Sequence, residues 1–366
     1  MGEAIVVNFF LTVRVLLVGG LLIMFPRIMR KGLLFGVYVG EEMVDTEAYR
    51  RLRRAWTLGC LKLMALSLAV GYVISLAGHS VAGNLTGTAV LLLGAFVLYL
   101  RIYSRARDLA SPDAAHQAAT ASAPLLGGES KGTGLAKLTV GVCVTVSLVG
   151  FVYALISFEG AWTGKPFITV MFLPSVNLVV SPLLAIIALL TAGAKRSIRG
   201  GSGGRSIEAQ DAFRTTVTRL TSWTALLTCA MSTILSIQII HLGLSGIRNQ
   251  GGAFWIPWGL MSAILFTFLF VNLIRIFKKY GQGGALMEDA TVETPLTNGL
   301  ADNSHWVLGL FFVNSDDPSI MVEKRFGLGY ALNYGNWRAI LFVATFLTLS
   351  LTLIALGLLA GSAGGG

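Results

Sequence analysis

LTGTAVLLLGAFVLYLRIYSRAR, residues 85–107, holds sixteen uncharged, mostly apolar residues followed by Arg101, Arg105 and Arg107. An α-helix of about 20 apolar residues is about 30 Å long, the thickness of a bilayer's hydrocarbon core. Arginines directly behind such a run mark the end that stays in the cytoplasm. Working outward from the span at 85–104, seven more stretches have the same character: 4–25, 56–77, 138–157, 167–192, 220–242, 256–276 and 340–361. Composition agrees, since 54% of the 366 residues are hydrophobic and 13% charged, with a mean hydropathy of +0.73. Soluble domains carry about 25% charged residues. So much apolar surface exceeds what one water-soluble core encloses, and lipid is the expected solvent. The expected fold class is an all-α polytopic membrane protein with about eight transmembrane helices and a small cytoplasmic hairpin-like element before the last.

The net charge of +10 would suggest nucleic acid in a soluble protein. Here the cations are sorted by leaflet, and no nucleic-acid partner is expected. Of 28 Lys and Arg, 24 fall in the connections 26–55, 101–137, 193–219 and 275–339. Lys165 and Arg248 lie on the opposite side, and Arg14 and Lys62 within spans. The positive-inside rule therefore puts the four basic connections in the cytoplasm and both termini outside. Trp56, Trp223 and Trp337 fall at inner helix starts, and Trp162, Trp255 and Trp258 at the outer boundary, where indole rings favour the headgroup level. The N-terminal run lacks a positive leader region and is interrupted by Arg14, so it reads as a first membrane helix and not a cleaved signal.

The organisation follows from these runs. Residues 1–107 hold three helices and the basic loop 26–55, and 137–280 hold helices four to seven. Residues 108–136 and 281–304 are small, polar and without apolar periodicity, and read as linkers without structure. GGSGGRS, 200–206, reads as a short flexible joint. Residues 305–339 form a distinct cytoplasmic element, and 340–366 the last helix with a short outer tail. No internal repeat is convincing. Cys60, Cys143 and Cys229 each lie in an apolar run, the place of small apolar residues and not of a disulfide framework or metal site. His79, His116, His241 and His305 are scattered, and no cofactor is expected.

Three places within the spans are bundle-core candidates. Arg14 lies near mid-span with no intramembrane carboxylate to pair with. A midplane charge costs about 2.5–3.5 kcal/mol and usually faces the bundle interior. Lys62 lies about two turns inside the boundary and can snorkel. The fifth span holds Pro174, Ser175, Asn177, Ser181 and Pro182, which predicts a kinked helix. A broken helix would offer carbonyls to a solute, whereas a kink repaired by serines is routine and is the favoured reading.

The most distinctive stretch is 306–337, WVLGLFFVNSDDPSIMVEKRFGLGYALNYGNW. An apolar run meets Asn-Ser-Asp-Asp-Pro, a strong turn signal, and a second apolar run leads to Glu-Lys-Arg. This predicts a hairpin on the cytoplasmic membrane face, with Gly327, Gly329 and Gly335 re-aiming the chain into the last helix. Trp306, Asn314, Asp316, Asp317, Lys324, Arg325 and Asn333 are its partner- or lipid-binding candidates. Asp316 and Asp317 can hold a cation or basic partner, though a solvated turn is the favoured reading. Lys324 and Arg325 can hold anionic lipid headgroups at about 1 kcal/mol each, or simply obey the positive-inside rule.

On these residues the stretch resembles DUF5808, a bacterial domain of unknown function. Its pattern is a Trp and Gly, Asn-x-Asp-Asp-Pro, Lys-Arg-Phe-Gly and Leu-Asn. Trp306, Gly309, Asn314, Asp316, Asp317, Pro318, Lys324, Arg325, Phe326, Gly327, Leu332 and Asn333 stand at the matching positions. Residues 31–57, KGLLFGVYVGEEMVDTEAYRRLRRAWT, resemble the cytoplasmic element that often accompanies such proteins, with Tyr38 and Gly40 where its usual form has Arg and Pro. Residues 161–187 resemble the end of a DUF1648 domain, found in SdpI-type proteins. The resemblance implies a bacterial inner-membrane protein, and the SdpI type implies toxin immunity and sequestration of a repressor at the membrane. The expected function is thus non-enzymatic: binding or anchoring a protein partner at the cytoplasmic face, or serving as an accessory subunit of a membrane assembly. The alternative is a small-solute transporter or lipid-interacting protein using the bundle core.

Overall fold

The computed structural model describes residues 2–29, 31–110, 124–125, 130–158, 165–197, 203–250, 252–287, 303–326 and 329–362. These include eight long helices, one for each apolar run: α1 (Gly2–Ile28), α2 (Glu47–Leu76), α3 (Ser80–Arg107), α4 (Thr133–Ile156), α5 (Lys165–Ala192), α6 (Gly203–Gln250), α7 (Gly252–Tyr280) and α8 (Trp337–Ser362). α1 to α7 each contain a stretch long and apolar enough to cross a membrane, and α8 contributes a shorter apolar stretch, Trp337–Thr352. Helices are the forced solution, because backbone polar groups in hydrocarbon must be satisfied within the segment.

Many large apolar side chains of the helices face outward, and small polar ones lie between helices. Leu76 is 84% exposed, whereas Ser67 is fully buried. Lipid is as apolar as leucine, so helices associate through small residues that let backbones approach. α2 and α3 pack this way: the Ser67 hydroxyl donates to the Gly87 carbonyl at 2.6 Å, and a Cβ on Gly87 would fall 2.8 Å from the Ser67 backbone carbonyl oxygen. Cys143, Ala185, Ala225 and Cys229 form the equivalent seam of α4, α5 and α6, and the three cysteines are free and buried. α1, α2 and α3 make one group and α4, α5 and α6 another; α7 lies against α6 and touches α1, and α8 lies against α5.

Several boundaries differ from expectation. α6 runs for 48 residues, taking in 203–206 of the expected flexible joint and Arg205, Arg214 and Arg219 of the expected loop. At 1.5 Å per residue it is about 72 Å long, more than twice the hydrocarbon thickness. Its basic end stays helical because Arg214 donates to Asp211 Oδ1 and to the Ala194 carbonyl, both at 2.8 Å. α5 continues unbroken through Pro174 and Pro182, with Ser175 donating to the Met171 carbonyl at 2.7 Å, so the helix is not a broken one. Trp56 is 1% exposed and donates to the Leu22 carbonyl at 2.7 Å, an internal ring and not a headgroup one. Trp223 and Trp337 are exposed. Trp162, His116, Gly327 and the side chain of Trp255 lie outside the described residues.

The expected linkers are partly structured. β3 (Pro124–Leu125) pairs antiparallel with β4 (Arg196–Ser197), joining two basic connections. A 3₁₀ turn, Gln282–Met287, packs on α6 and α7. The remainder, 111–123, 126–129, 200–202 and 288–302, lies outside the described residues. Contacts among all four basic connections define one end of the bundle, here termed the basic face.

Candidate functional site

Two short hairpins meet on the basic face. In the first, β1 (Leu33–Leu34) and β2 (Val37–Tyr38) are joined by Phe35-Gly36, with φ of 48° and 80°. Positive φ at both central residues gives a primed turn, whose twist matches that of paired strands. In the second, β5 (Trp306–Val307) and β6 (Phe311–Phe312) are joined through Leu308-Gly309, with φ of 54° and 66°. The hairpins touch tip to tip: a Cβ on Gly36 would fall 2.8 Å from the Gly309 Cα, and one on Gly309 would fall 2.8 Å from the Gly36 Cα. Only glycine fits at either tip.

Tyr99 of α3 lies beneath both turns. Its hydroxyl is 3.1 Å from the Phe35 carbonyl oxygen and 2.8 Å from that of Leu308, so one proton is shared between the two hairpins. Phe326 packs beside it with ring centroids 4.8 Å apart, and Phe35 and Trp56 complete the cluster. Arg325 is 1% exposed and fastens the hairpins from above. It donates to Asn303 Oδ1 at 2.6 Å and the Gly36 carbonyl at 3.2 Å, and its guanidinium stands 5.1 Å over the Trp306 ring. Asn303 in turn accepts from the Tyr38 N–H at 3.1 Å and donates to the Tyr38 carbonyl at 3.3 Å.

The other half is built around Asn333, which is fully buried between β7 (Met321–Glu323), β8 (Tyr330–Leu332) and the Asn-Ser-Asp-Asp-Pro turn. Its Oδ1 accepts from the N–H groups of Asn314 and Gly335, each at 3.0 Å. Its amide donates to the carbonyls of Asn314 and Asp317 at 2.9 Å and Ser319 at 3.1 Å. One side chain thereby closes the turn and fixes the approach to α8.

Asp317 ties this half to the second helix group. Its carboxylate accepts from Lys195 Nζ at 2.6 Å and from the Ser319 N–H at 2.9 Å. Burial pushes the carboxyl pKa up, but these hydrogen bonds and the Lys195 charge outweigh it and hold it below the usual range. A depressed folded pKa contributes stability above the unfolded value, near 4, which is lost as pH falls through the folded one. Asp317→Asn is therefore expected to lower the thermal midpoint in detergent at pH 7. The gap from wild type should close at a pH below about 4, and a pH-independent gap would refute the assignment.

Placed against the sequence reading, Trp306, Asp317, Arg325 and Asn333 all turn inward. Arg325, 1% exposed, does not present its guanidinium to headgroups, which was one of the two readings of Lys324 and Arg325. The adjacent aspartates divide: Asp316 is exposed, with its N–H capped by Asn314 Oδ1 at 2.9 Å, while Asp317 is not the solvated carboxylate favoured above. Lys324 is half-buried, and burial lowers its ammonium pKa. Tyr99, Asn303, Lys195 and Gly36 carry no signal of their own in the sequence reading, and Gly309 enters it only as a position of the family-like pattern. The available signal was an apolar-Gly pair between short apolar runs in both FGV and LGL.

Within the spans, Arg14 Nη1 donates to Asn84 Oδ1 at 3.0 Å and Thr88 Oγ1 at 2.9 Å, and Asn84 donates to the Val7 carbonyl at 3.1 Å. Arg14 therefore joins α1 to α3. Lys62 is exposed on α2, as a snorkelling residue would be. Asn177 donates to Thr233 at 2.8 Å and accepts from Ser181 at 2.6 Å, linking α5 to α6. Arg14→Leu orphans the Asn84 oxygen and is expected to cost about 1–3 kcal/mol, read as a lower midpoint; an unchanged midpoint would leave only snorkelling. Among the described residues no three His, Cys, Asp or Glu side chains gather as a metal site.

Apolar helices surrounded by exposed leucines and closed at one end by interlocked hairpins define a multi-pass α-helical membrane protein. Residues 315–340, from the aspartate turn through β7, β8 and the start of α8, match the model of a family described as "Family of unknown function (DUF5808)". No curated protein and no solved structure matches the chain.

Proposed function

We propose that this protein works by binding and not by catalysis, as a membrane bundle whose cytoplasmic element clasps two helix groups and receives a protein partner on its open face. The observation that carries this is the division of side chains within 303–337. Arg325 and Asn303 are spent inside, fastening the element to α3 and the first hairpin together with Tyr99, while Asp316 at the turn faces out. On the other side it is fastened by Lys195–Asp317, by the Lys195 N–H donating to the Met321 carbonyl at 3.1 Å, and by Phe213 against Tyr330.

The outward side of the second hairpin is apolar. Strand alternation turns Trp306 and Phe312 in, leaving the cross-strand neighbours Val307 and Phe311 out, 52% and 40% exposed, with Val313, next in the chain, 40% exposed. An uncharged apolar patch with a polar surround is the composition of an interface core. Sequestering a soluble regulator at a bacterial inner membrane, in the SdpI manner, and seating a neighbouring subunit are two forms of the same activity. The positive-inside sorting supports a cytoplasmic basic face with both termini outside. Passage of a solute, the alternative, draws on Arg14 and Asn177, and the interhelical bonds of both favour an architectural role.

The test is isolation from native membranes in mild detergent, comparing wild type with Val307→Ser/Phe311→Ser. A polypeptide near stoichiometric amount should accompany wild type and be lost from the variant at unchanged thermal midpoint. Identical companions in both, or none with wild type, overturn the reading.

A further inference from the structure

Beneath the basic face, α6 and α7 diverge around a cleft of about 270 Å³ that the clasp does not use. Arg219 and Trp223 face it from α6, and Phe268, Asn272, Arg275 and Lys279 from α7. On each helix these residues recur at spacings of three or four, which puts them on one face. They are also sorted by depth. Arg275 and Lys279 lie in the last turns before the basic end, and Phe268 lies about 10 Å deeper along the helix. The top is closed by Thr216, which donates to the Tyr280 hydroxyl at 3.3 Å, so the cleft opens sideways, where Trp223 is 53% and Phe268 36% exposed.

The charges in this cleft are unbalanced. Arg219, Arg275 and Lys279 are all exposed, and no described carboxylate pairs with any of them. Arg275 and Lys279, four residues apart, repel each other along one helix face. Lys279 stands over the Tyr280 ring, 5.0 Å from the centroid, and its neighbour on the helix face is the like charge of Arg275. Three converging cations above an aromatic, lipid-facing wall call for an anion with an apolar body attached.

We propose that this cleft binds one anionic phospholipid of the leaflet at the basic face. The phosphate lies among Arg219, Arg275 and Lys279, the glycerol beside Asn272, and an acyl chain descends along Trp223 and Phe268. Guanidinium groups match phosphate oxygens in pairs, and basic clefts between membrane helices are suited to acidic headgroups. A zwitterionic lipid brings its own ammonium against the same three cations, which sets the preference for net negative charge. Free phosphate shares the headgroup chemistry but gains nothing from the Trp223 and Phe268 wall.

The experiment is native mass spectrometry of the delipidated full chain in mild detergent, titrated separately with phosphatidylglycerol, phosphatidylcholine and inorganic phosphate. Phosphatidylglycerol should bind at least about tenfold more tightly than phosphatidylcholine, a difference of about 1.4 kcal/mol, and phosphate should not be retained. Arg275→Gln/Lys279→Gln should abolish the preference, and Arg219→Gln on the facing helix should weaken it if the double variant does not fold. Arg50→Gln/Arg51→Gln, which removes two exposed charges elsewhere on the basic face, should preserve it. Equal retention of both lipids, retention of phosphate to the same degree, or loss in the Arg50/Arg51 control overturns the proposal.

Discussion

Asn333→Ala is expected to undo the basic-face element, with a loss of about 3–5 kcal/mol and new cleavage by trypsin after Arg325. The side chain is fully buried and serves two backbone N–H groups and three carbonyls, as its five hydrogen bonds record. Alanine leaves those groups orphaned in a space too small for each to find water, and an unsatisfied buried group costs about 1–3 kcal/mol. Asn333→Asp is the sharper probe, because it keeps the acceptor for Asn314 and Gly335 while setting a carboxylate against three carbonyl oxygens. Both variants should destabilise, and Asp should not rescue. Arg325 is 1% exposed in the intact element, so a wild-type tryptic pattern from either variant would show that Asn333 is not its fastening.

The second large effect is expected at the paired hairpin tips. Gly36→Ala or Gly309→Ala places an L-residue at a positive φ, costing about 1–2 kcal/mol on backbone grounds alone. The added carbon also lies 2.8 Å from the opposite glycine's Cα, where carbon atoms settle at about 3.5–4.0 Å. The hairpins must therefore separate by roughly 1 Å, which pulls at least one carbonyl away from the Tyr99 hydroxyl and draws Gly36 from Arg325. A total of about 2–4 kcal/mol is expected for either substitution. Since both relieve the same contact, the double variant should cost less than the sum of the singles. Strict additivity in thermal midpoints would mean that the tips do not bear on each other.

How much of this was legible follows from where the information lies. The membrane helices could be read because each is specified locally, by an apolar run of bilayer length; α3 needs nothing beyond residues 85–107 to be a span. Their ends could not, because a basic run looks the same in a loop as on a helix. Arg214 is held helical by Asp211 and by the Ala194 carbonyl, a contact that composition does not encode. Likewise the Asn-Ser-Asp-Asp-Pro turn was legible as a turn, but not the inward direction of Asp317. That depends on Lys195, 122 residues away, just as the burial of Arg325 depends on Gly36, 289 residues away. The hairpin at 33–38 is too short to show alternation, and its fit against 306–312 becomes visible only when the two glycines are brought together.

α6 extends past the lipid on the side of the basic face and forms one unbroken rod, 48 residues from Gly203 to Gln250. A rod of that length converts angle into displacement: a tilt of about 5° around its midpoint carries either tip by about 3 Å. About 17 Å in from the end on the basic face, Arg214 holds the Ala194 carbonyl, next to the lysine that grips Asp317. At Arg214, about 19 Å from the midpoint, the same tilt amounts to about 1.6 Å, so the orientation of one helix sets the position of a carbonyl that adjoins the clasp.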